Sequence, residues 1–368
     1  FGAVFGKAEL RKDTQGNPQA ALRELDPLAA QADFVFGHNI YWHDLPHLAR
    51  LAPNAAVLDK PAVDTLLLSV IAFADHPYHR LVKDYKLVHD ATNDPVADAR
   101  IAGRVLADCA DRFRSLAATN PTFARVVRSL AHLSLITVSP QAQAGTDLFF
   151  ADITDPSPDL DADLQTLLAE RACTAALKRL LPVTALPSTN QLPLLFAVAW
   201  LRVAGTTHST SPSVVMPWAR RQFPVLSDLL HQLRDVSCDQ PTCTWCRTIH
   251  DPVSQLRRWF DPIHNFRTSP TLPDGRPAQP AIVEAGFANK PLLALLPTGG
   301  GKSLCFQLPA INRYLRRGSL TIVISPLQSL MHDQVDNFRD KTRTQFAYAL
   351  TGRLTPPERR ATLDAVRS

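Results

Sequence analysis

A glycine-rich turn between an apolar run and a helical pattern constrains this sequence more than any other feature. The run PLLALLP at 291–297 predicts a buried strand, and KSLCFQLPAINRYLRR at 302–317 predicts an amphipathic helix. Glycines let a backbone approach an anion closely, and the free amides of a helix N-terminus favour negative charge. The turn therefore predicts a phosphate-binding loop, made of Thr298, Gly299, Gly300, Gly301, Lys302 and Ser303.

The order of the elements predicts an α/β multidomain protein. A second apolar run, LTIVISP at 320–326, follows the helix after the turn, and this βαβ order is typical of a parallel sheet. Near the other end, FGAVF and DFVFGHN predict strands, and Asp94-Pro95 predicts the start of a long helix. Four regions follow from these patterns: an α/β domain at 1–112, a helical connector at 113–236, a Cys-rich knuckle at 237–253 and a partial parallel-sheet lobe at 254–368.

Composition limits the classes of protein to which the chain can belong. Of its 368 residues 45% are hydrophobic and 20% are charged, which excludes an intrinsically disordered chain. The longest apolar runs, at 66–74 and 192–201, are shorter than the ~18–20 residues of a spanning helix and exclude a transmembrane protein. Residues 254–368 hold 16 Lys and Arg against 8 Asp and Glu, a balance that suits a phosphate backbone or a solvated face.

Closely spaced cysteines predict a metal site. The pattern C-x4-C-x2-C-x3-H offers three thiolates and an imidazole, which are ligands that structural Zn²⁺ prefers. An iron–sulfur site and a set of reduced thiols are the alternatives. The predicted zinc ligands are Cys238, Cys243, Cys246 and His250, whereas Cys109, Cys173 and Cys305 lie in apolar helical patterns and are predicted core residues.

The segments PTGGGKSLCFQLPA and TIVISPLQSLMHDQVDNF resemble motifs I and Ia of RecQ-like superfamily II DNA helicases. The resemblance implies a RecA-like lobe, ATP and Mg²⁺ as cofactors, and single-stranded and duplex DNA as partners. It also implies that Gln279 recognises adenine, although its spacing from Arg267 departs from the family pattern, and that the segment from Ser325 to Gln334 meets a single strand. Because no DEAH-like box is present, we expect nucleotide binding without turnover or unwinding.

The N-terminal region resembles motifs II and III of DnaQ-like DEDD exonucleases, through GHNIYWHDLPHLARL, VDTL and the segment at 79–106. The resemblance implies an RNase H-like fold and a 3′-to-5′ exonuclease with Mg²⁺ or Mn²⁺, held by Asp44 with Asn39 as its helper and by Asp98. The general-base position is then Asn93, an amide that cannot accept a proton. A shifted register would place a histidine, His89, at the general-base position and would use Asp94 in place of Asp98 as the carboxylate. The first carboxylate pair of such enzymes is absent.

Taken together, the patterns predict a bacterial DNA repair or recombination protein that is cut at both ends, located in the cytoplasm with the nucleoid. In this interpretation an exonuclease-like domain precedes a helicase motor. The alternative is a non-catalytic DNA-binding adaptor whose nuclease fold is degenerate. The patterns assign no membrane association, no protein partner and no role for residues 113–236.

Overall fold

The computed structural model describes residues 2–11, 18–76, 78–79, 94–207 and 214–367, and this part of the chain is mostly helical. Its strands are β1 Gly2–Phe5, β2 Ala8–Arg11, β3 Val35–Gly37 and β4 Ala62–Asp64. Its α-helices are α1 Pro18–Arg23, α2 Asp26–Gln31, α3 Asp44–Leu51, α4 Thr65–Ala72, α5 Pro95–Thr119, α6 Pro121–Leu135, α7 Pro140–Phe150, α8 Leu160–Leu168, α9 Thr174–Leu180, α10 Ser188–Val203, α11 Pro217–Gln222, α12 Val225–Arg234, α13 Thr244–Ile249, α14 Pro252–Trp259, α15 Ala278–Phe287, α16 Lys302–Arg317, α17 Gln328–Thr342 and α18 Pro356–Arg367.

The strands form two separate pairs. β1 and β2 form an antiparallel hairpin with Gly2 opposite Arg11, and β3 runs parallel to β4 with Val35 opposite Ala62. The strands predicted from FGAVF and DFVFGHN are thereby confirmed, as part of a structure in which helices predominate. The chain divides into two compact units, and helices from 113–236 contribute to both of them.

The first unit comprises residues 1–168, 180–202 and 216–229. Its long helix α5 begins where the sequence predicts, because the Asp94 carboxylate accepts hydrogen bonds from the amides of Val96 (3.0 Å) and Ala97 (3.2 Å). Phe113 on α5 and Phe150 on α7 are fully buried, with ring centroids 4.9 Å apart in an edge-to-face arrangement. This aromatic contact holds the two helices together.

A glycine permits the close approach of α7 to β4. A Cβ atom on Gly145 would lie 1.9 Å from the carbonyl oxygen of Ala62. Because that oxygen belongs to the backbone, no change of side-chain rotamer could relieve the overlap. The helix therefore packs directly on the strand at this point.

The second unit comprises residues 169–179, 203–215 and 230–368. Helices α14, α15, α16 and α17 share its apolar core, which has these buried members: Leu256, Trp259, Phe260, Val283, Phe287, Leu304, Leu308, Ile311, Leu315 and Phe338. The core face of α16 carries four of them at helical spacing, as the sequence pattern predicts. The helix itself has the predicted bounds.

The parallel sheet predicted for the C-terminal region is not formed. Neither PLLALLP nor LTIVISP is a strand, and Leu293, Leu295 and Ile324 are 88%, 87% and 91% exposed. A strand requires a neighbour that accepts and donates its backbone hydrogen bonds, and the described residues provide no such ladder for either run. Among the described helices, none is both long enough and apolar enough to cross a bilayer.

Candidate nucleotide site and cysteine cluster

The glycine-rich turn leads directly into the N-terminus of α16, as predicted. Gly299 and Gly301 have φ of +79° and +80°, and the Gly300 amide donates to the carbonyl of Pro297 at 3.0 Å. Both angles lie in the left-handed region, where a residue with a Cβ atom is strained. The two glycines are therefore what allows the chain to turn here and begin the helix.

The N-terminus of α16 has the features of an anion site. Gly301 is the capping residue, and it offers no side chain to accept a hydrogen bond from the first amides of this 16-residue helix. Lys302 is exposed, and its Nζ donates to the carbonyl of Leu296 at 3.0 Å across the turn. Thr298 is exposed within the turn and Ser303 is half-buried. The N-terminus of α16 thus combines free backbone amides, the positive end of the helix dipole and the ammonium group of Lys302, all of which attract an anion.

Gln279 on α15 holds the loop in position through hydrogen bonds to the backbone. Only 3% of it is exposed, and its Nε2 donates to the carbonyl of Gly301 at 3.2 Å while its Oε1 accepts from the amide of Arg267 at 2.8 Å. The guanidinium of Arg267 in turn donates to the carbonyl of Gly299. Both ends of the Gln279 amide therefore bind backbone, and recognition of adenine by this residue remains a prediction.

A second glutamine joins α17 to the loop. Gln334 Nε2 donates to Ser303 Oγ at 3.1 Å, and Gln334 Oε1 accepts from Gln307 Nε2 at the same distance. The sequence predicts Gln334 in a segment that meets DNA, and nothing in the sequence indicates its contact with Ser303. At the start of that segment Ser325 and Leu327 are respectively half-buried and exposed.

The predicted exonuclease residues lie in the first unit. Asp44 is the first residue of α3, with 54% of its side chain exposed, and Asp98 is in the first turn of α5. Asn39 adopts φ of +68°, and Asn93 lies outside the described residues. In the described part of the chain, no group of three or more metal-binding side chains includes Asp44 or Asp98.

Asp64 is a buried carboxylate at the end of β4 whose role the sequence does not reveal. Its Oδ1 accepts from the amides of Asn39 (3.0 Å) and Leu66 (2.8 Å), and its Oδ2 accepts from the amide of Tyr41 (3.2 Å). Burial raises the pKa of Asp64 to about 6, although these hydrogen bonds oppose the shift. The sequence signal that could have indicated a role for Asp64 is the Asp-Thr pair of VDTL, because aspartate commonly caps the N-terminus of a helix.

Four cysteines meet in the second unit. The Sγ atoms of Cys173, Cys238, Cys243 and Cys246 all lie within 4.8 Å of one another, and all but Cys238 are buried. Cys173 was predicted to be a core residue, and it is buried, yet it lies beside the three predicted ligands. The sequence pattern could not indicate this, because Cys173 is far from the other three along the chain.

His250 is not part of this group. Its Nε2 lies 3.0 Å from the carbonyl oxygen of Arg234, and burial, helped by the charge of Arg316, lowers the pKa of His250 to about 4. The neutral ring therefore donates a hydrogen bond to backbone. The structure brings together four thiols where the sequence pattern predicts three thiols and this imidazole.

Residues 276–367 match the DEAD/DEAH box helicase family. The ATP-dependent helicase SGS1 of Saccharomyces cerevisiae is 44% identical over 93 residues, which are 25% of this chain and 6% of that protein. The ATP-dependent DNA helicase RecQ of Synechocystis is 45% identical over 85 residues, 23% of this chain and 16% of that protein. The matches thus span less than a fifth of the length of these relatives, and no solved structure matches the chain. The C-terminal quarter of this chain is therefore similar to DEAD/DEAH box helicases, and these relatives support the resemblance to RecQ-like helicases.

Proposed function

We propose that this chain belongs to an ATP-dependent DNA helicase of RecQ type and that residues 298–303 bind the triphosphate of ATP. The observation that carries the proposal is the glycine-shaped turn at the N-terminus of α16, within the segment similar to DEAD/DEAH box helicases. Free amides and Lys302 bind the phosphates, and Gln279 keeps the turn in position.

Mg²⁺ fits the same site. Ser303 Oγ is half-buried at the start of α16 and uses one lone pair to accept from Gln334. A hydroxyl oxygen has a second lone pair, so Ser303 can also bind the cation that neutralises the phosphate charge. The contact between Gln334 and Ser303 would then connect the metal-binding hydroxyl to the segment that is proposed to meet single-stranded DNA.

The test compares Lys302→Ala with Lys290→Ala in titrations of the full chain with a fluorescent ATP analogue and Mg²⁺. Loss of a charge-assisted contact of about 1.5–3 kcal/mol should weaken binding roughly 10- to 150-fold in Lys302→Ala. Lys290 is an exposed lysine that follows α15, and its replacement should leave the affinity unchanged. Equal affinities of the two variants would remove the basis of the proposal.

DNA is the proposed partner, as single strand and duplex, because the relatives are DNA helicases by name and the region from 254 onward is basic. We also propose that the Cys-rich segment binds Zn²⁺ and that the protein is located in the bacterial cytoplasm. A bacterial relative, the RecQ protein of Synechocystis, is consistent with this location.

An exonuclease-like role is proposed for the first unit. The parallel pair β3 and β4 and the packing of α5 on β3 are consistent with such a fold. Full-length protein should trim single-stranded DNA with Mg²⁺ or Mn²⁺, Asp98→Ala should abolish trimming, and Asp111→Ala, an exposed change on the same helix, should retain it. Trimming by none of the three proteins would favour the alternative, a DNA-binding adaptor.

A further inference from the structure

The cluster of four thiols supports a ligand set that differs from the one predicted by the sequence pattern. We infer that Cys173, Cys238, Cys243 and Cys246 together bind one structural Zn²⁺ ion and that His250 is not a ligand. This inference rests on the proposed zinc requirement and assigns its fourth ligand to Cys173.

The distances among the sulfur atoms fit a single ion. A tetrahedral Zn²⁺ with Zn–S bonds of about 2.3 Å places its four sulfur ligands about 3.8 Å apart. The four Sγ atoms already lie within 4.8 Å of one another, so small side-chain rotations complete the tetrahedron. An iron–sulfur cluster inserts several iron and sulfide ions between the thiolates and therefore requires them to lie further apart. The compact arrangement thus favours one ion.

Backbone amides already point at two of the sulfur atoms. The Sγ of Cys173 accepts from the amide of Ala176, in the first turn of α9, and the Sγ of Cys246 accepts from the amide of Cys238, each at 3.4 Å. Such contacts stabilise a thiolate and orient it toward a metal ion. The same arrangement leaves no open coordination position, so the ion has a structural and not a catalytic role.

His250 has a different structural task. The carbonyl oxygen of Arg234 accepts from His250 Nε2 at 3.0 Å and from the indole Nε1 of Trp245 at 3.2 Å. Two donors on one carbonyl use both of its lone pairs, which anchors α13 to the end of α12. His250 therefore supports the fold beside the cluster while the thiols bind the ion.

The ion would hold the segment on which the nucleotide-loop helix rests. Ile249, at the end of α13, accepts a hydrogen bond of 2.6 Å through its carbonyl from the buried Asn312 Nδ2 on α16. Asp235, three residues before Cys238, pairs with the buried Arg316, one helical turn further along α16. Because α13 carries Cys246, loss of the ion should loosen these contacts as well as the cluster.

The experiment measures zinc per chain by mass spectrometry in full-length protein purified with Zn²⁺. The wild type should hold about one ion. Cys173→Ser should hold little, His250→Gln should hold about one, and Cys109→Ser should match the wild type because that buried cysteine lies in the first unit. Hydrogen exchange of peptides from α16 should rise in Cys173→Ser and stay unchanged in Cys109→Ser.

Cobalt substitution keeps the test decisive if Cys173→Ser fails to fold. Co²⁺ in the wild type should show thiolate-to-cobalt charge transfer of an intensity that corresponds to four sulfur ligands. Zinc retained by Cys173→Ser but lost from His250→Gln, or a spectrum of three sulfur ligands, would overturn the assignment of Cys173 while leaving the zinc requirement intact. Iron, or no metal, in the wild type would overturn both, and neither result depends on ATP binding.

Discussion

Replacing Gly301 with alanine should damage the nucleotide loop more than the same change at Gly299. Both residues have φ near +80°, so each alanine incurs about 1–2 kcal/mol of backbone strain. Around Gly299 nothing lies within 4 Å of the position of a Cβ atom, whereas at Gly301 that atom would lie 2.2 Å from Gln279 Nε2. Only Gly301→Ala must therefore displace the buried amide that holds the loop.

The additional cost follows from what Gln279 loses. Its displacement breaks the hydrogen bond to the carbonyl of Gly301 and leaves a buried amide without that partner, at about 1–3 kcal/mol. Hydrogen exchange of peptides from α16 measures the opening free energy of this helix. The opening constant in Gly301→Ala should exceed that in Gly299→Ala by about 5- to 150-fold.

A double-mutant cycle tests the cause. In a Gln279→Ala background the Cβ atom at position 301 meets no amide, so the additional cost of Gly301→Ala should fall to roughly 0.5 kcal/mol or less. Equal exchange in the two single variants would show that Gln279 does not hold the loop. Persistence of the difference in the Gln279→Ala background would lead to the same conclusion.

Two further predictions concern buried charges. The pKa of Asp64 is about 6 in the folded protein against an ordinary value of 3.8, so the folded state favours the protonated carboxyl. Its contribution to the free energy of unfolding is therefore fully present below about pH 4 and is lost as the pH rises through 6. Thermal unfolding of the first unit should show this loss of at most about 3 kcal/mol, and a variant Asp64→Asn that keeps the same pH dependence would contradict the assignment. Asp235→Ala should destabilise the second unit by about 3–5 kcal/mol, since it leaves Arg316, which is only 2% exposed, without its carboxylate. The change Asp336→Ala at an exposed carboxylate on α17, in the same unit, is the control, at under about 1 kcal/mol in urea unfolding. Similar losses in both variants would argue against a buried ion pair.

Local features of this protein follow from the sequence alone. The start of α5 at Asp94-Pro95, the bounds of α16 and the glycine-rich turn before it were all predictable. Each depends on residues within about one helical turn, because caps and backbone conformation are determined by near neighbours. The similarity of 276–367 to helicases likewise agrees with the motifs found in the sequence.

Tertiary structure decided the features whose partners are distant along the chain. Cys173 joins the other thiols, and Gln279 binds the loop, through contacts that no local spacing encodes. The apolar runs at 291–297 and 320–326 have the length and apolar character of buried strands, yet a strand exists only where a neighbour exchanges hydrogen bonds with it. The sequence therefore determined which structures each segment could form, and long-range contacts determined which of them the chain adopted. The physical reason is that only those contacts compensate for the cost of removing a backbone group, a thiol or a carboxylate from water.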